Sequence, residues 1–417
     1  MNVSVKWDRL DFSRVPYSLL HDDQVYAREQ EAIFNGPTWF FLGLEAEIPK
    51  PGDFRTTYAG DIPVVVNRAR DGKIYAFVNR CSHRGSTVRR ELCGNAKSHS
   101  CIYHRWGFDQ QGRLTGIPFQ RGVNGKGGLS PDFDKSKHNL RAFRIETLAG
   151  VIFGTLSEQS ENLRDYLGSQ MVEHIERLFH KPVRVLGYQR QQINGNWKSY
   201  VENVKDTYHA SLLHTFLSTF GIDRATQRGG VLMDDRHRHS VTYSYAGSDS
   251  DDTARTAYTT ADVRDNSLQL KDPSIVAYRP EWEDGRGLVL TAIFPTAFFM
   301  QISNCLHTRQ VRPSGPNKLE VFQTIFCYAD DSEDMIQHRL LQANLVGPAG
   351  LVSMEDGEAI ELVHRATGTD LAATEVIEMG GAGDIVDKDY RVNDVSLRGF
   401  WSYYAEIMKI APEGAIK

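Results

Sequence analysis

The sequence predicts an α+β protein in which an all-β module precedes a larger mixed domain. Between residues 39 and 157, short runs rich in β-branched and aromatic residues alternate with glycine, proline and Asp-Gly turns, a pattern typical of successive short strands. Helical texture begins at residues 158–178 and returns at 196–220. The runs at 287–294 (GLVLTAIF) and 318–329 (KLEVFQTIFCYA) predict strands of an antiparallel sheet. We therefore expect a β domain followed by a domain with a central antiparallel sheet.

The domain boundaries follow these changes in texture. A chain of 417 residues is long enough for two or three domains, because single cores rarely grow past roughly 250–300 residues. We expect an N-terminal helical segment that packs with the last domain (1–38), the all-β domain (39–157) and the mixed domain (158–417). Within the first segment, Ala27 to Trp39 predicts a short amphipathic helix ended by Gly36-Pro37.

Three local signals refine this outline. Asp71-Gly72 lies between two apolar runs and predicts a hairpin turn. Ser332, followed by two acidic residues, predicts the N-cap of a helix that continues to Leu345. The polar stretch 247–267 predicts a surface loop.

Composition excludes several classes of protein. The net charge of −5 gives no reason to expect a nucleic-acid or membrane partner. No stretch approaches the roughly 18 uninterrupted apolar residues of a spanning helix, and the first residues lack a secretory signal pattern. The five cysteines are too few and too scattered for a disulfide framework. We expect a soluble, cytoplasmic protein.

Two Cys/His pairs form the most specific motif of the chain. Cys81-x-His83 is followed, after seventeen residues, by Cys101-x2-His104. A structural zinc site more usually shows C-x2-C with H-x3-5-H. Two loops that each supply one Cys and one His fit a [2Fe–2S] cluster, with thiolates on one iron and imidazoles on the other. Zinc remains the alternative.

The residues around these pairs agree with a cluster site. Each pair closes a β-like run, as two loops that hold one cluster would require. We expect Gly85 and Gly107 to supply tight turns and Trp106 to shield the cluster from water. Cys93 matches no ligand position and is predicted to be a free thiol.

A second group of ligands lies further along the chain. His209 and His214 fall in one stretch of helical texture, and several carboxylates lie at 347–358. Two histidines and one carboxylate are the facial triad of non-haem Fe(II) proteins, which leaves positions open for dioxygen. Residues five apart on a regular helix are separated by about 140°, so we expect the helix to bend or end near His214. Taken alone, such histidines are more often hydrogen-bonded polar residues than ligands.

Together the two patterns resemble a known family over essentially the whole chain. The cluster motif and N-W-K…E-N-x2-D-x2-H-x4-H are similar to those of the α-subunits of Rieske non-haem iron ring-hydroxylating oxygenases. The resemblance implies an all-β Rieske [2Fe–2S] domain and a helix-grip-like catalytic domain. It also implies a mononuclear iron bound by His209, His214 and Asp356. Glu355 stands where many relatives have a second Asp and is a rival ligand.

The same resemblance assigns catalytic roles to Asp206 and Asn203. Asp206 matches the carboxylate that links a cluster histidine of one subunit to an iron-bound histidine of the next. A head-to-tail trimer would thus join His104, Asp206 and His209 in one relay. A solvated helical acid is the alternative for Asp206. Asn203 matches a position near the iron.

The substrate class follows from finer resemblance. The stretches ENVKDTYHASLLH and GPAGLVSMEDGE resemble the subgroup that acts on aromatic acids, whose members include terephthalate, salicylate and anthranilate oxygenases. Arg309 and Arg398 lie where terephthalate-type enzymes place carboxylate-binding arginines. A guanidinium binds a carboxylate in bidentate fashion, although either arginine could equally be an ordinary ion-pair residue.

These observations predict a terminal oxygenase component. It would use O₂ to hydroxylate or cis-dihydroxylate an aromatic carboxylate during aromatic degradation. The alternatives are an oxidative demethylase on the same scaffold and a Rieske electron carrier. The chain lacks a nicotinamide or flavin fingerprint, so NAD(P)H-derived electrons must come through a separate reductase or ferredoxin. The resemblance also implies a small β-subunit and an α3β3 or α3 assembly.

Basic residues lie around the cluster loops. They either dock an acidic ferredoxin or form a solvated face, and they are Arg84, Arg89, Arg90, Lys97 and Arg105.

Overall fold

The computed structural model describes Trp7, residues 12–247, Thr256, Tyr258 and residues 268–410. The surface loop predicted at 247–267 therefore lies almost wholly outside the described residues. The chain divides into two compact units, one formed by Phe34–Leu163 and the other by Met1–Ile33 with Arg164–Lys417. Among the described helices, none combines the length and apolar character that crossing a membrane requires.

The N-terminal segment belongs to the second of these units and begins with three short elements. They are strand β1 (Arg14–Pro16) and helices α1 (Ser18–His21) and α2 (Asp23–Glu29). The Asp22 carboxylate accepts from the backbone of Gln24 and so caps α2. A π-helical turn, Gln30–Phe34, follows. The helix thus starts before Ala27, where the sequence analysis places its start. The difference arises because that prediction does not include the cap at Asp22.

The unit 34–163 is built from short antiparallel strands, as the sequence predicts. The strands are β2 (Phe40–Leu44), β3 (Asp53–Ala59), β4 (Ile62–Arg68), β5 (Ile74–Val78), β6 (Cys93–Asn95), β7 (His99–Ser100), β8 (Gly107–Phe108), β9 (Leu114–Gly116), β10 (Arg144–Leu148) and β11 (Val151–Thr155). One sheet has the order β5-β4-β3-β6, a second β10-β11-β2 and a third β7-β8-β9. Asp71-Gly72 forms the predicted hairpin between β4 and β5, with Gly72 at φ +80°.

An antiparallel sheet organises the unit that contains residues 164–410. The strands are β12 (Val183–Ile193), β13 (Gly229–Met233), β14 (Ser240–Tyr245), β15 (Arg286–Ile293), β16 (Ala297–Ile302), β17 (Cys305–Pro313) and β18 (Leu319–Tyr328). Their order in the sheet is β12-β18-β17-β16-β15-β14-β13, and both strands predicted from the sequence, at 287–294 and 318–329, belong to it. Helix α3 (Leu163–Leu178), broken at Gly168, precedes the sheet.

Helices of the same unit pack against this sheet and bring the candidate ligands to it. Ser332 caps its helix as predicted, accepting from the backbone of Met335. A short strand, β19 (Thr374–Val376), pairs with β1. The helices are α4 (Trp197–Lys205), α5 (Ala210–Leu213), α6 (Thr215–Phe220), α7 (Glu333–Val346), α8 (Leu351–Thr367) and α9 (Val395–Met408).

A buried polar network fixes α4 in place. The Glu29 carboxylate, wholly buried, accepts hydrogen bonds from Lys198 Nζ at 2.6 Å, Trp197 Nε1 at 2.8 Å and the Tyr404 hydroxyl at 2.5 Å. Asn196 caps α4 by accepting from the backbone of Lys198. An ionised carboxylate inside a protein needs such partners, so α2, α4 and α9 are held to one another at a defined position.

Candidate metal centres

The first candidate centre lies on two loops of the unit 34–163. In the first loop the amide of Cys81 donates to Ser86 O and the amide of Gly85 donates to Cys81 O. In the second loop the amide of Cys101 donates to Trp106 O and the amide of Arg105 donates to Cys101 O. The two loops therefore fold in the same way around their cysteines.

The loops differ in how they reach the left-handed turn. Gly85 adopts φ +74° as expected for glycine, whereas Arg105 occupies the matching position with φ +54°. The prediction that Gly107 supplies this turn is wrong, because Gly107 opens strand β8. The loop must turn before β8 starts, and Arg105 is the residue that adopts the left-handed conformation of this turn.

The four predicted cluster ligands form two close pairs, one of thiols and one of imidazoles. Cys81 and Cys101 are buried free thiols, and burial raises the pKa of Cys81, with Cys101 as a hydrogen-bonding neighbour. The rings of His83 and His104 are 4.6 Å apart. Trp106, buried, stacks on His83 at 4.7 Å, which fits its predicted shielding role.

Two thiols side by side and two imidazoles side by side match the ligand set of a Rieske cluster. Zinc with two S and two N ligands has the same composition, so the donor atoms by themselves do not separate the two metals. Cys93 is exposed and free, as predicted.

The basic residues near these loops do not form one uniform patch. Arg89 donates to His99 Nδ1 at 2.9 Å and lies over the Phe54 ring, so it is part of the packing of the domain. Arg84, Arg90, Lys97 and Arg105 are exposed.

The second candidate centre lies in the other unit, where the chain breaks its helices around the ligands. Helix α4 ends at Lys205, and the Asp206 carboxylate accepts from the backbone amides of Tyr208 at 2.6 Å and His209 at 3.3 Å. Asp side chains compete in this way with helical hydrogen bonds. The two histidines thus lie at the two ends of the short helix α5, His209 before its first residue and His214 after its last. The expected break at His214 is present, at φ −86° and ψ 73° between α5 and α6.

Helix α8 supplies the carboxylate. Asp356 Oδ1 lies 3.5 Å from His209 Nε2 and 3.1 Å from His214 Nε2. One ligand atom from each of these residues lies within 4.8 Å of the others, and no other such group of His, Cys, Asp or Glu occurs among the described residues. Adjacent ligands of an octahedral ion with bonds of about 2.1 Å are about 3 Å apart. The spacing fits a mononuclear metal with a facial ligand set.

The electrostatics of this centre favour cation binding. Burial raises the pKa of Asp356, but hydrogen bonds from both histidines outweigh it and hold the pKa well below its ordinary value. Burial lowers the pKa of His209, yet Asp206 and Asp356 raise it to about 10. Protons on the imidazoles thus occupy the place of a positive ion, which would displace them on binding.

The two predicted catalytic residues lie beside the triad. Asp206 Oδ2 lies 3.3 Å from His209 Nδ1, so its carboxylate faces the ring nitrogen that points away from Asp356. The Asn203 amide nitrogen donates to Asp356 Oδ1 at 3.1 Å and lies 3.4 Å from His209 Nε2.

Only one of the two predicted substrate residues lies in the cavity at the triad. Arg309, on β17, lines a cavity with the triad and apolar side chains from several elements. Arg398, on α9, donates to Gly383 O and is not among the lining residues. The apolar lining residues are Val204, Ala210, Leu217, Leu288, Leu290, Met300, Ile302 and Val352.

Sequence reasoning missed several residues that hold these groups. Tyr200 and Ser353 contact the Arg309 guanidinium, and Glu355 contacts His214. Of these, Glu355 alone carried a sequence signal, its place next to Asp356, and it was weighed only as a ligand.

Comparisons with known proteins agree with both centres. A Rieske [2Fe–2S] domain family matches residues 38–126, and the catalytic domain of ring-hydroxylating α-subunits matches residues 173–409. The chain is 46% identical over 402 residues to the anthranilate 1,2-dioxygenase large subunit of Burkholderia cepacia, with 95% of this chain and 94% of the relative covered.

Two further relatives cover the chain almost completely. One is the terephthalate 1,2-dioxygenase terminal oxygenase component subunit alpha 2 of Comamonas sp., at 42% identity and 97% coverage of both chains. The other is the salicylate 5-hydroxylase large oxygenase component of Ralstonia sp., at 38% identity, covering 97% of this chain and 96% of the relative.

Solved structures confirm the fold. Naphthalene 1,2-dioxygenase from Rhodococcus sp. superposes with a TM-score of 0.76 at 23% identity, covering 95% of this chain and 94% of that one. The two matched domains imply a Rieske cluster and a mononuclear iron, which the ligand sets described above can accommodate. The chain belongs to the family of Rieske non-haem iron ring-hydroxylating oxygenase α-subunits.

Proposed function

We propose that this chain is the terminal oxygenase component that hydroxylates or cis-dihydroxylates an aromatic carboxylate such as anthranilate, salicylate or terephthalate. The relatives at 38–46% identity are named for these three acids. The single observation that supports the substrate class is that Arg309, in the cavity beside the triad, is buried without a carboxylate partner among the described residues.

Arg309 is a buried cation that meets no carboxylate among the described residues. Its guanidinium donates to the Tyr200 hydroxyl at 3.1 Å, Val346 O at 3.2 Å and Ser353 Oγ at 3.3 Å. Its Nε has no partner there. These acceptors are all neutral, so no ion pair with a described residue offsets the buried positive charge, and burying an unpaired charge is costly.

Other buried arginines of the same unit show the usual solution. Arg339 meets Glu281 and Asp331, and Arg391 binds both oxygens of Asp223 at 2.6 and 2.9 Å. Arg309 differs from them in having its charge available at a cavity. An anionic substrate would supply the missing carboxylate, and the apolar lining would contact its ring.

The triad would hold the mononuclear iron and the four cluster residues the [2Fe–2S] group. When bound, these groups supply electron transfer and dioxygen activation. The chain's own part is to orient the ring. Arg309 fixes the acid group, and the leucine, isoleucine, methionine and valine side chains exclude water from the space beside the triad. Asn203 donates a hydrogen bond to Asp356, and the Asp206 carboxylate lies 3.3 Å from His209 Nδ1.

The ligand assignments and the roles of Asp206 and Asn203 form part of the same proposal, whereas Arg398 does not, because it is absent from the lining of this cavity. So does the relay from His104 of one subunit through Asp206 to His209 of the next. The relatives are named as large subunits, alpha subunits or terminal components, which supports partnership with a small β-subunit and with a ferredoxin or reductase. We expect an α3β3 or α3 assembly that works in the cytoplasm.

The test measures turnover of a panel of substituted benzoates and neutral arenes. Oxygen uptake reports the reaction, and mass spectrometry identifies the products. Acid-dependent oxygen uptake with ring-hydroxylated products is the expected result. Equal turnover of neutral arenes would contradict the carboxylate assignment. Loss of a methyl group without ring oxygenation would favour the demethylase. A pure electron carrier is excluded already, because residues 173–409 form a ring-hydroxylating catalytic domain.

A further inference from the structure

Both candidate iron-binding histidines have a carboxylate on the side away from Asp356. His209 Nδ1 lies 3.3 Å from Asp206 Oδ2, and His214 Nδ1 lies 2.7 Å from Glu355 Oε2. On the other side, the Nε2 atoms of both rings face Asp356 Oδ1. Each imidazole is thus placed between an outer carboxylate and the shared inner one.

We propose that Glu355 is a positioning residue that fixes the tautomer and orientation of His214 for metal binding. A neutral imidazole carries its proton on one nitrogen and its lone pair on the other. With Glu355 accepting at Nδ1, the proton stays there and the lone pair of Nε2 faces the metal position. Carboxylates that hold the outer nitrogen of a metal-binding histidine also increase its basicity.

The backbone alone does not determine the His214 ring orientation. His214 lies at the junction of α5 and α6, outside regular helix on either side. Its side chain is only 3% exposed, so water cannot take over the outer nitrogen readily. The Glu355 carboxylate is the hydrogen-bond partner at this nitrogen.

The geometry also separates this role from that of a ligand. Glu355 and Asp356 are consecutive on α8, so their side chains leave the helix about 100° apart. Asp356 is 6% exposed and reaches both Nε2 atoms, whereas Glu355 is 27% exposed and reaches only the outer nitrogen of one ring. Glu355 therefore supports the centre from behind His214, and the rival assignment of Glu355 as the iron ligand is not the one its contacts favour.

The two outer carboxylates are not equivalent. Asp206 follows α4 in the same segment as its histidine, three residues before it, and both side chains are more than a fifth exposed. Glu355 is 141 residues from His214, so its contact ties α8 to the α5–α6 junction. Removing the Glu355 carboxylate should allow the His214 ring to change its orientation. The fold of α8 and of the α5–α6 junction should be unaffected, because other contacts hold them.

The test measures metal binding rather than turnover. Full-length holoprotein with an intact cluster is stripped of mononuclear iron by a chelator, and Co²⁺ is titrated by its visible ligand-field absorption. Glu355→Ala should raise the dissociation constant of Co²⁺ by about 10- to 100-fold. Glu355→Gln, whose amide oxygen can still accept from Nδ1–H, should raise it less. Glu358→Gln, an exposed position on the same helix, should leave it unchanged.

A second readout separates orientation from general damage. In the Co²⁺ form, proton NMR should show a solvent-exchangeable, paramagnetically shifted Nδ1–H signal from His214. In Glu355→Ala this signal should exchange with water and disappear, while that of His209 persists and the cluster spectrum stays intact. An unchanged Co²⁺ affinity with a persistent His214 signal would overturn the proposal. Complete loss of Co²⁺ binding, as in Asp356→Ala, would instead make Glu355 a ligand.

Discussion

The two candidate centres are built on opposite principles. The cluster centre is made of two local loops with the same hydrogen-bond pattern, and its histidines reach the surface: His83 is exposed and His104 half-buried. The candidate iron centre is assembled from distant parts of the chain, with the side chains of His214 and Asp356 only 3% and 6% exposed. The difference suits the chemistry, because an electron-transfer group must be approached by a partner, whereas an oxygen-activating site must exclude water.

The largest expected effect comes from removing the shared carboxylate of the iron centre. Asp356→Ala should abolish turnover, because it leaves two imidazoles without the anion that completes the facial set. The cluster should be unaffected, since its ligands all lie in the unit 34–163. Iron analysis should fall from about three to about two per chain. His209→Ala should give the same result. Simultaneous loss of the cluster absorption would show that the variant misfolds.

Exchange of a cluster ligand should change the properties of the cluster and leave the mononuclear iron bound. His83→Cys or His104→Cys still offers iron a ligand, but thiolate in place of imidazole should lower the reduction potential, because the imidazole ligands are what raise it in Rieske centres. Protein-film voltammetry and the electron paramagnetic resonance spectrum of the reduced protein measure the change. An unchanged potential would show that the replaced histidine is not a ligand.

Asp206→Ala tests the residue that lies at the exposed edge of the buried centre. Both metals should remain, because Asp206 is not among the proposed ligands, but steady-state turnover should fall by at least about 100-fold as the relay between subunits is broken. Asp206→Asn should retain the hydrogen-bond geometry and part of the activity. Normal turnover in a correctly assembled Asp206→Ala protein would remove the relay from the mechanism.

Arg309 and Arg398 provide a matched pair for the substrate cavity. Arg309→Gln should weaken binding of the aromatic acid by roughly 2–5 kcal/mol, equivalent to tens- to thousands-fold in the dissociation constant. Arg309→Lys should recover only part of this, because an ammonium lacks the two-pronged geometry. Isothermal titration calorimetry with benzoate-type ligands measures both.

Arg398→Gln sharpens this test, because Arg398 is absent from the cavity lining in this structure. We expect substrate affinity to change less than tenfold. An effect as large as that of Arg309→Gln would restore the two-arginine clamp that the sequence predicts. If neither variant changes the substrate affinity, the substrate carboxylate is not the partner of the buried Arg309 charge.

The smallest expected effect compares the two cluster loops. Gly85→Ala places a Cβ at φ +74°, where the nearest atom is 4.0 Å away, so the penalty is conformational and not a clash. The free energy of unfolding should fall by about 1–2 kcal/mol. Arg105→Gly, at φ +54° in the second loop, should be neutral or slightly stabilising. Denaturant titration checks both, and equal losses in the two variants would contradict the assigned turns.

Apart from the turn at Arg105, the sequence predicted the two loops of the candidate cluster site. Each Cys/His pair lies within four residues, so the loop geometry is local and spacing alone places the side chains. The same is true of the Asp71-Gly72 hairpin and the Ser332 cap, which depend on turn and cap chemistry within a few residues. The sequence also singled out His209 and His214 and, through the family resemblance, Asp356, and the structure brings these three candidate ligands together.

What the tertiary structure decided is which groups meet across long distances and which charges lose water. Spacing cannot show that Glu355 reaches the outer nitrogen of His214, or that Asp206 ends a helix by capping the next turn, since these depend on the packing of α8 and α4. Nor can it distinguish Arg309 from Arg398. Both are buried arginines, but only the fold sets Arg309 among neutral acceptors in the cavity that also holds the triad. The free-energy cost of a buried charge depends on the groups around it, and those groups are brought together only by the fold.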